Sequence, residues 1–249
     1  MKKPKLWFSL YDFSFDYKGD EPNFWEPDKF VWASTFQSHF DEILKELQDY
    51  LEAKDLNPYF NESMTNRKQI WNTVSLKTWD IELFNNQNHF PLTSRLIHQF
   101  PEIVSLSFNR LEAGGHIIPH CGDTNAIVRC HLGLHVPTDV NQCFFKVKGE
   151  SRIWEKGKWL IFTDAYMHEA VNQTNEARYI LLMDVIRDEF SDRRGLVTST
   201  VLTSLFLQKR AQKLKFLYKS PPIVIKLISY FLTPLAWLAT RLVNWIKVY

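Results

Sequence analysis

The pattern of apolar and polar positions changes character three times along the chain. From Thr35 to Ala53, Phe36, Phe40, Ile43, Leu44, Leu47, Tyr50 and Leu51 recur at helical spacing. That spacing predicts one amphipathic helix laid on a core, with Ser34 or Thr35 as its cap. PLTSRLIHQFP, Pro91 to Pro101, predicts a short helix bracketed by prolines. From Glu102 the texture becomes β-branched and aromatic: IVSLSFNRL, IVRCHLGLHV, CFFKVKG, KWLIFTD and RYILLMDVI, separated by turns such as EAGG and NQTNEA. Short strands at this spacing predict a sandwich or jelly roll from about 103 to 188. The fold class expected is α+β. The strand-rich core would stand on an N-terminal helical support, about 20–101, within a domain of residues 1–192. Residues 193–249 would form a helical appendage.

That last part is basic and apolar at once. SLFLQKRAQKLKFLYKS is amphipathic, and between Lys226 and Arg241 lie 14 uncharged residues that contain Pro234. A spanning helix needs ~20 apolar residues, so a clean transmembrane pass is disfavoured. Tyr230, Trp237, Trp245 and Tyr249 beside Lys and Arg fit an interfacial helix. A helix pair packed on the body or at a dimer interface fits equally.

Charge sharpens this picture. The net charge is +2, yet from Arg193 onward there are ten basic residues and no acidic one, while residues 1–192 carry a net −8. An acidic body with a basic tail points the tail toward something anionic, a membrane surface among the candidates. No nucleic-acid partner is expected. The three cysteines are odd in number and form no Cys-x-x-Cys pair, which favours a reduced, cytoplasmic compartment. The first residues lack the apolar run of a signal peptide. The tail would make the protein peripheral on the inner face of a membrane.

Candidate chemistry gathers in two segments, IIPHCGDTNAIVRCHLGLHVP (Ile117 to Pro137) and FTDAYMHEAVNQTNEARYILLMDV. The open mouth of a jelly roll can bring His120 and His168 together, with Arg178 deeper inside. Imidazole suits iron among other first-row metals, and a fixed guanidinium suits bidentate capture of a carboxylate. His116, His135 and Glu169 read as supporting residues and Asp184 as structural. Cys121 and Cys130 read as small core residues rather than ligands.

PHCGDTN, RCHLGLHVP, W-E-x-G-K-x-L-I-F-x-D (Trp154 to Asp164) and HEAVNQTNEAR together resemble the aspartyl/asparaginyl β-hydroxylases. These are iron(II)- and 2-oxoglutarate-dependent dioxygenases, and the likeness covers about Trp71 to Asp188. It implies a double-stranded β-helix, iron(II) held by His120 and His168, and Arg178 on the distal carboxylate of 2-oxoglutarate. By the same resemblance Arg129 and His131 would line the pocket. Trp71 would touch the co-substrate, and Asn109 would stand where the family often has a serine. The reaction implied consumes O2 and couples decarboxylation of 2-oxoglutarate to succinate with hydroxylation of a C–H bond.

The position two residues after the first histidine, where this class usually has a carboxylate ligand, is Gly122. The animal aspartyl hydroxylases share this His-x-Gly form, whereas lipid-modifying relatives carry His-x-Asp. Water would then fill the third position, with Asp123 turned away; a turn that swings Asp123 inward is the rival. Gly122→Asp is expected to preserve the metal. The substrate stays open between protein, peptide, amino acid and lipid. Ile127 replaces an arginine of the animal enzymes, which argues against their disulfide-rich targets. A non-catalytic scaffold and a cupin of another chemistry, such as an isomerase, remain as alternatives.

Overall fold

The structure, a computed structural model, describes residues 4–12, 16–139, 142–211, 213–214 and 220–248. Lys215, Lys219 and Tyr249, part of the basic tail and its aromatic end, lie outside them.

Twelve strands are formed among the described residues: β1 (Phe24–Trp25), β2 (Asn57–Pro58), β3 (Trp71–Thr78), β4 (Ile81–Glu82), β5 (Ile103–Leu111), β6 (Gly115–His120), β7 (Ile127–His135), β8 (Cys143–Val147), β9 (Glu150–Arg152), β10 (Trp159–Phe162), β11 (His168–Asn172) and β12 (Arg178–Ile186). The large sheet runs β1-β10-β7-β12-β5-β3-β2, with β4 paired to β3; the small sheet runs β6-β11-β8-β9. Every strand pair is antiparallel. This is a jelly roll, one of the two forms that the spacing of apolar runs predicts, and the double-stranded β-helix that the family resemblance implies.

Period-two alternation sorts the central strands between two cores. Cys130, Leu132 and Leu134 of β7 and Leu181, Met183 and Val185 of β12 face outward into a core built with Phe36, Ile43 and Leu47. Burying each such side chain contributes ~1.5–3 kcal/mol. The opposite set, Arg129 and His131 of β7 and Arg178 and Ile180 of β12, lies on the side that meets the small sheet, beside Phe145, Phe162 and Trp154. One strand thus carries both packing and chemistry.

Helices α1 (Val31–Ser38) and α2 (Phe40–Ala53) cover the outer face, with α3 (Phe84–Gln87) and α4 (Pro91–Gln99). The single helix expected from 35 to 53 is broken at His39, whose backbone (φ −103°, ψ 20°) leaves the helical region. Phe36 and Phe40 keep their spacing across the break, so periodicity hides it. Ser34 and Thr35 do not cap: their hydroxyls donate to the carbonyl of Val31 from inside α1. The expected N-terminal helical support also contains a long strand, β3, hydrogen-bonded to β5.

The C-terminal region forms α5 (Arg194–Ala211) and α6 (Pro222–Val248). Val197 and Val201 of α5 pack with Ile127, Ile186 and Phe190 of the body. The α6 helix runs unbroken through Pro234. Its stretch Ile223–Ile246 is 24 residues long and holds an 18-residue window of mean hydropathy 1.6, enough by length and composition alone to cross a membrane.

Candidate active site

His120 ends β6 and His168 begins β11, and the two are direct register partners. Their ring centroids are 4.2 Å apart. Each Nδ1 faces the carbonyl two residues earlier, Ile118 O at 2.8 Å and Tyr166 O at 2.7 Å. An Nδ1–H donated there leaves both Nε2 atoms as lone pairs. Burial pushes His120 down to about 4, and burial followed by the neighbouring His120 holds His168 well below the usual range. Both rings are therefore neutral at pH 7, as metal ligands must be.

Asp164 stands beside them. It is fully buried, and Oδ1 lies 3.7 Å from His168 Nε2 and 2.8 Å from Arg129 Nη1. The contact with Arg129 is ionic but out of hydrogen-bond line, so Oδ1 keeps an unfilled acceptor. Burial raises the carboxyl to about 7, with Arg129 opposing. Asp164 also explains Gly122. The Gly122 N–H donates to Asp164 O at 2.8 Å, and a Cβ at 122 would stand 1.7 Å from Asp164 Oδ2.

The space that a side chain at position 122 would need is thus taken by the carboxylate of Asp164. Sequence reasoning assigned Asp164 no role; a lone acid closing the apolar run LIFTD four residues before His168 was the available signal. The expectation that aspartate at 122 preserves the metal is revised, because its room is taken. Even Gly122→Ala is expected to lower stability by about 1–3 kcal/mol and to weaken divalent-metal binding. Urea unfolding and metal titration of that variant check both effects.

Arg129 is held on two sides. Asp184 accepts from Nε at 2.7 Å and Nη2 at 3.0 Å, and Asp164 sits on Nη1. Burial pulls its pKa down, but the two carboxylates outweigh burial and hold it above its ordinary value. It lines the cavity already neutralised, so its geometry fits orienting Asp164 better than capturing an incoming acid. Asp184 is its anchor.

Arg178 is the opposite case. It is 1% exposed, and among the described residues its Nε and Nη1 have no hydrogen-bond partner. Its guanidinium lies over Trp154 at 4.2 Å. Burial pulls its pKa down to about 10. His131 faces the same cavity. Trp154 Nε1 donates to its Nδ1 at 3.2 Å, which puts the proton on Nε2, and that atom is also without a partner. Buried donors are normally satisfied. Among the described residues, then, three N–H groups of two side chains lining one cavity find no acceptor.

Trp71 and Asn109 line this cavity too. Trp71 Nε1 donates to Asn109 Oδ1 at 2.9 Å, and Asn109 Nδ2 donates to Ser107 O and Oγ at 3.2 and 2.8 Å. Both ends of the Asn109 amide are thereby engaged, and Oδ1 fixes the Trp71 ring. Tyr59 stacks on that ring at 3.7 Å. The small cavity shares Trp71, Asn109, His120 and Arg129 with an open cleft of about 630 Å³.

Asp123 turns away from the histidines. It accepts from Ser204 Oγ at 2.6 Å on α5 and from Ser9 Oγ at 3.5 Å. Glu169 pairs with His116 at 2.8 Å and Lys146 at 3.3 Å, and β11 alternation puts it opposite to His168. Cys130 lies in the helix-facing core, and burial pushes the Cys121 thiol up to about 11.

The double-stranded β-helix thus carries a histidine pair at its mouth and, within, a buried guanidinium two of whose nitrogens find no partner among the described residues. The aspartyl/asparaginyl β-hydroxylase family model matches residues 37–188. The chain belongs to that family. An ornithine lipid ester-linked acyl 2-hydroxylase of Rhizobium tropici is 30% identical over 171 residues, 67% of this chain and 61% of that protein. The human aspartyl/asparaginyl beta-hydroxylase is 34% identical over 113 residues, 43% of this chain and 15% of that protein. The chain therefore spans under two thirds of either relative's length. Among solved structures, a Pseudomonas putida prolyl-4-hydroxylase aligns at 13% identity and TM-score 0.41, over 60% of this chain and 87% of that one.

Proposed function

We propose that the protein is an iron(II)- and 2-oxoglutarate-dependent hydroxylase. The observation that carries this reading is Arg178, a buried cation whose Nε and Nη1 find no partner among the described residues, in the cavity that His120 and His168 also line. The donor set fits the groups: two neutral imidazoles for a first-row metal and convergent N–H donors for a carboxylate. When bound, iron(II), 2-oxoglutarate and O2 supply the chemistry, oxidative decarboxylation to succinate with one oxygen atom passed into a C–H bond.

The chain's own residues hold and orient. His120 and His168 would hold the metal through Nε2, each ring oriented by its carbonyl partner. Asp164 Oδ1, unfilled and 3.7 Å from His168 Nε2, would be free to accept a hydrogen bond beside the metal. Arg178 and His131 would donate to the distal carboxylate, and Trp154 fixes both of them, one by stacking and one by its N–H. Phe145 and Phe162 pack against His168 at 5.7 and 5.2 Å and keep water from that side. Free cysteines and the basic tail support a place in the cytoplasm, on the inner face of a membrane.

The test is succinate formation by the full chain. It should require both iron(II) and 2-oxoglutarate and disappear on chelation. Turnover that persists without either one, or no succinate with both, removes the reading. The two relatives are named for a lipid and for protein side chains; helix α6 favours the lipid.

A further inference from the structure

Helix α6 is amphipathic in the reverse sense for a protein in water. Ile223, Leu227, Phe231, Leu235, Leu242 and Trp245 are between 47% and 77% exposed. At 3.6 residues per turn they fall within an arc of about 120°. The polar residues Ser229, Thr233, Thr240 and Asn244 fall on the far side, toward the body. Ser229 is 0% exposed and Thr240 9%. Asn244 Nδ2 donates to Asp80 O at 2.7 Å, and Asn244 Oδ1 accepts from Glu82 N at 3.1 Å. Thr233 bonds Thr203 of α5 at 3.3 Å, and Tyr230 stacks on Tyr11 at 5.8 Å. A helix facing water turns its apolar stripe inward; this one turns it outward along its length.

The contacts with the body run from Tyr230 to Asn244, roughly 20 Å of helix. A helix fixed along its side to a folded domain cannot also be surrounded by lipid across a bilayer. It can lie flat, with its outward arc in the acyl layer. The occupant is chosen by charge. The chain from Arg193 onward is exclusively basic among its charged residues. Arg241 and Trp237, held together at 4.0 Å, lie at the edge of the arc, where cation and indole meet headgroups. Helix α5 joins this face to the chemistry: its Leu205 and Gln208 line the open cleft, and Phe206 between them is 46% exposed.

We propose that α6 lies in the plane of an anionic bilayer with this arc buried, and that the cleft beside α5 takes an acyl lipid from that bilayer as its substrate. The substrate half rests on the hydroxylase reading; the bilayer half does not.

The experiment is co-sedimentation of the full chain with vesicles of phosphatidylcholine plus phosphatidylglycerol, against phosphatidylcholine alone. Binding should need the anionic lipid, weaken at high salt, and fall about tenfold or more in the double variant Phe231→Asp, Leu235→Asp. Both positions are exposed, so folding should survive, and the thermal transition checks that. Binding unchanged by the substitutions overturns the proposal. So does a wild-type dimer, seen by sedimentation velocity without vesicles, that the same substitutions split; the arc is then a subunit interface. His168→Ala should bind vesicles as wild type does. With iron(II), 2-oxoglutarate and the mixed vesicles, hydroxylated acyl chains should appear by mass spectrometry and decline in the double variant. Succinate without acyl hydroxylation overturns the substrate half. No succinate, with vesicle binding intact, overturns the hydroxylase reading and leaves the bilayer half standing.

Discussion

His168→Ala should yield a folded protein that binds iron(II) at least ~100-fold more weakly and forms no succinate. The basis is the number of ligands. Among the described residues no three His, Cys, Asp or Glu side chains form a ligand group, so the histidine pair supplies what the chain offers directly. Removing one imidazole leaves a single nitrogen. Loss of a supporting partner alone typically costs ~10–100-fold in affinity, and loss of a ligand must exceed that. The His168 ring also packs on Phe145 and Phe162, so the variant should lose about 1–3 kcal/mol of stability. Anaerobic titration with iron(II) or manganese(II), alongside thermal unfolding, separates the two effects. His116→Ala is the control: that ring pairs with Glu169 away from the cavity, and its removal should leave metal affinity unchanged. Retained affinity in His168→Ala would mean that another side chain, Asp164 first, completes the site.

The parts of the molecule that sequence made legible are those where one rule governs. β7 and β12 alternate cleanly, so both the outward core and the inward row of Arg129, His131 and Arg178 follow from period two. β3 was obscured because Asn72 and Lys77 sit among its buried residues, which blurs the apolar alternation. Asp164 was hidden for a different reason. Its place beside His168 depends on the turn after β10 and on the space that Gly122 leaves, and neither is a local property of the sequence. The direction of α6 was hidden too. A helical stripe can be found in a sequence, but which side meets the body depends on partners such as Asp80, more than a hundred residues earlier.

Arg178→Met should act in opposite directions on stability and on function. In the ligand-free protein the guanidinium is buried without an ion pair or a partner for Nε and Nη1, and burial already drags its pKa down to about 10. Stacking on Trp154 at 4.2 Å offsets part of that cost. Replacing even a buried ion pair by apolar side chains of similar volume is often neutral or stabilising by about 1–4 kcal/mol, and a buried charge without its pair has less to lose. The variant should therefore melt several degrees higher than wild type, at ~2–4 °C per kcal/mol for a chain of this size. Its affinity for 2-oxoglutarate should fall at least ~100-fold, since a desolvated charge-assisted bidentate contact is lost. The two effects meet in one measurement. With metal bound, added 2-oxoglutarate should raise the melting temperature of wild type, because a ligand that binds only the native state stabilises it, and should leave that of the variant where it was. Arg178→Lys would keep the charge without the fork and should fall between the two in affinity. A methionine variant that melts lower than wild type would show that the charge is already compensated within the fold. One that still responds to 2-oxoglutarate would show that the carboxylate binds elsewhere.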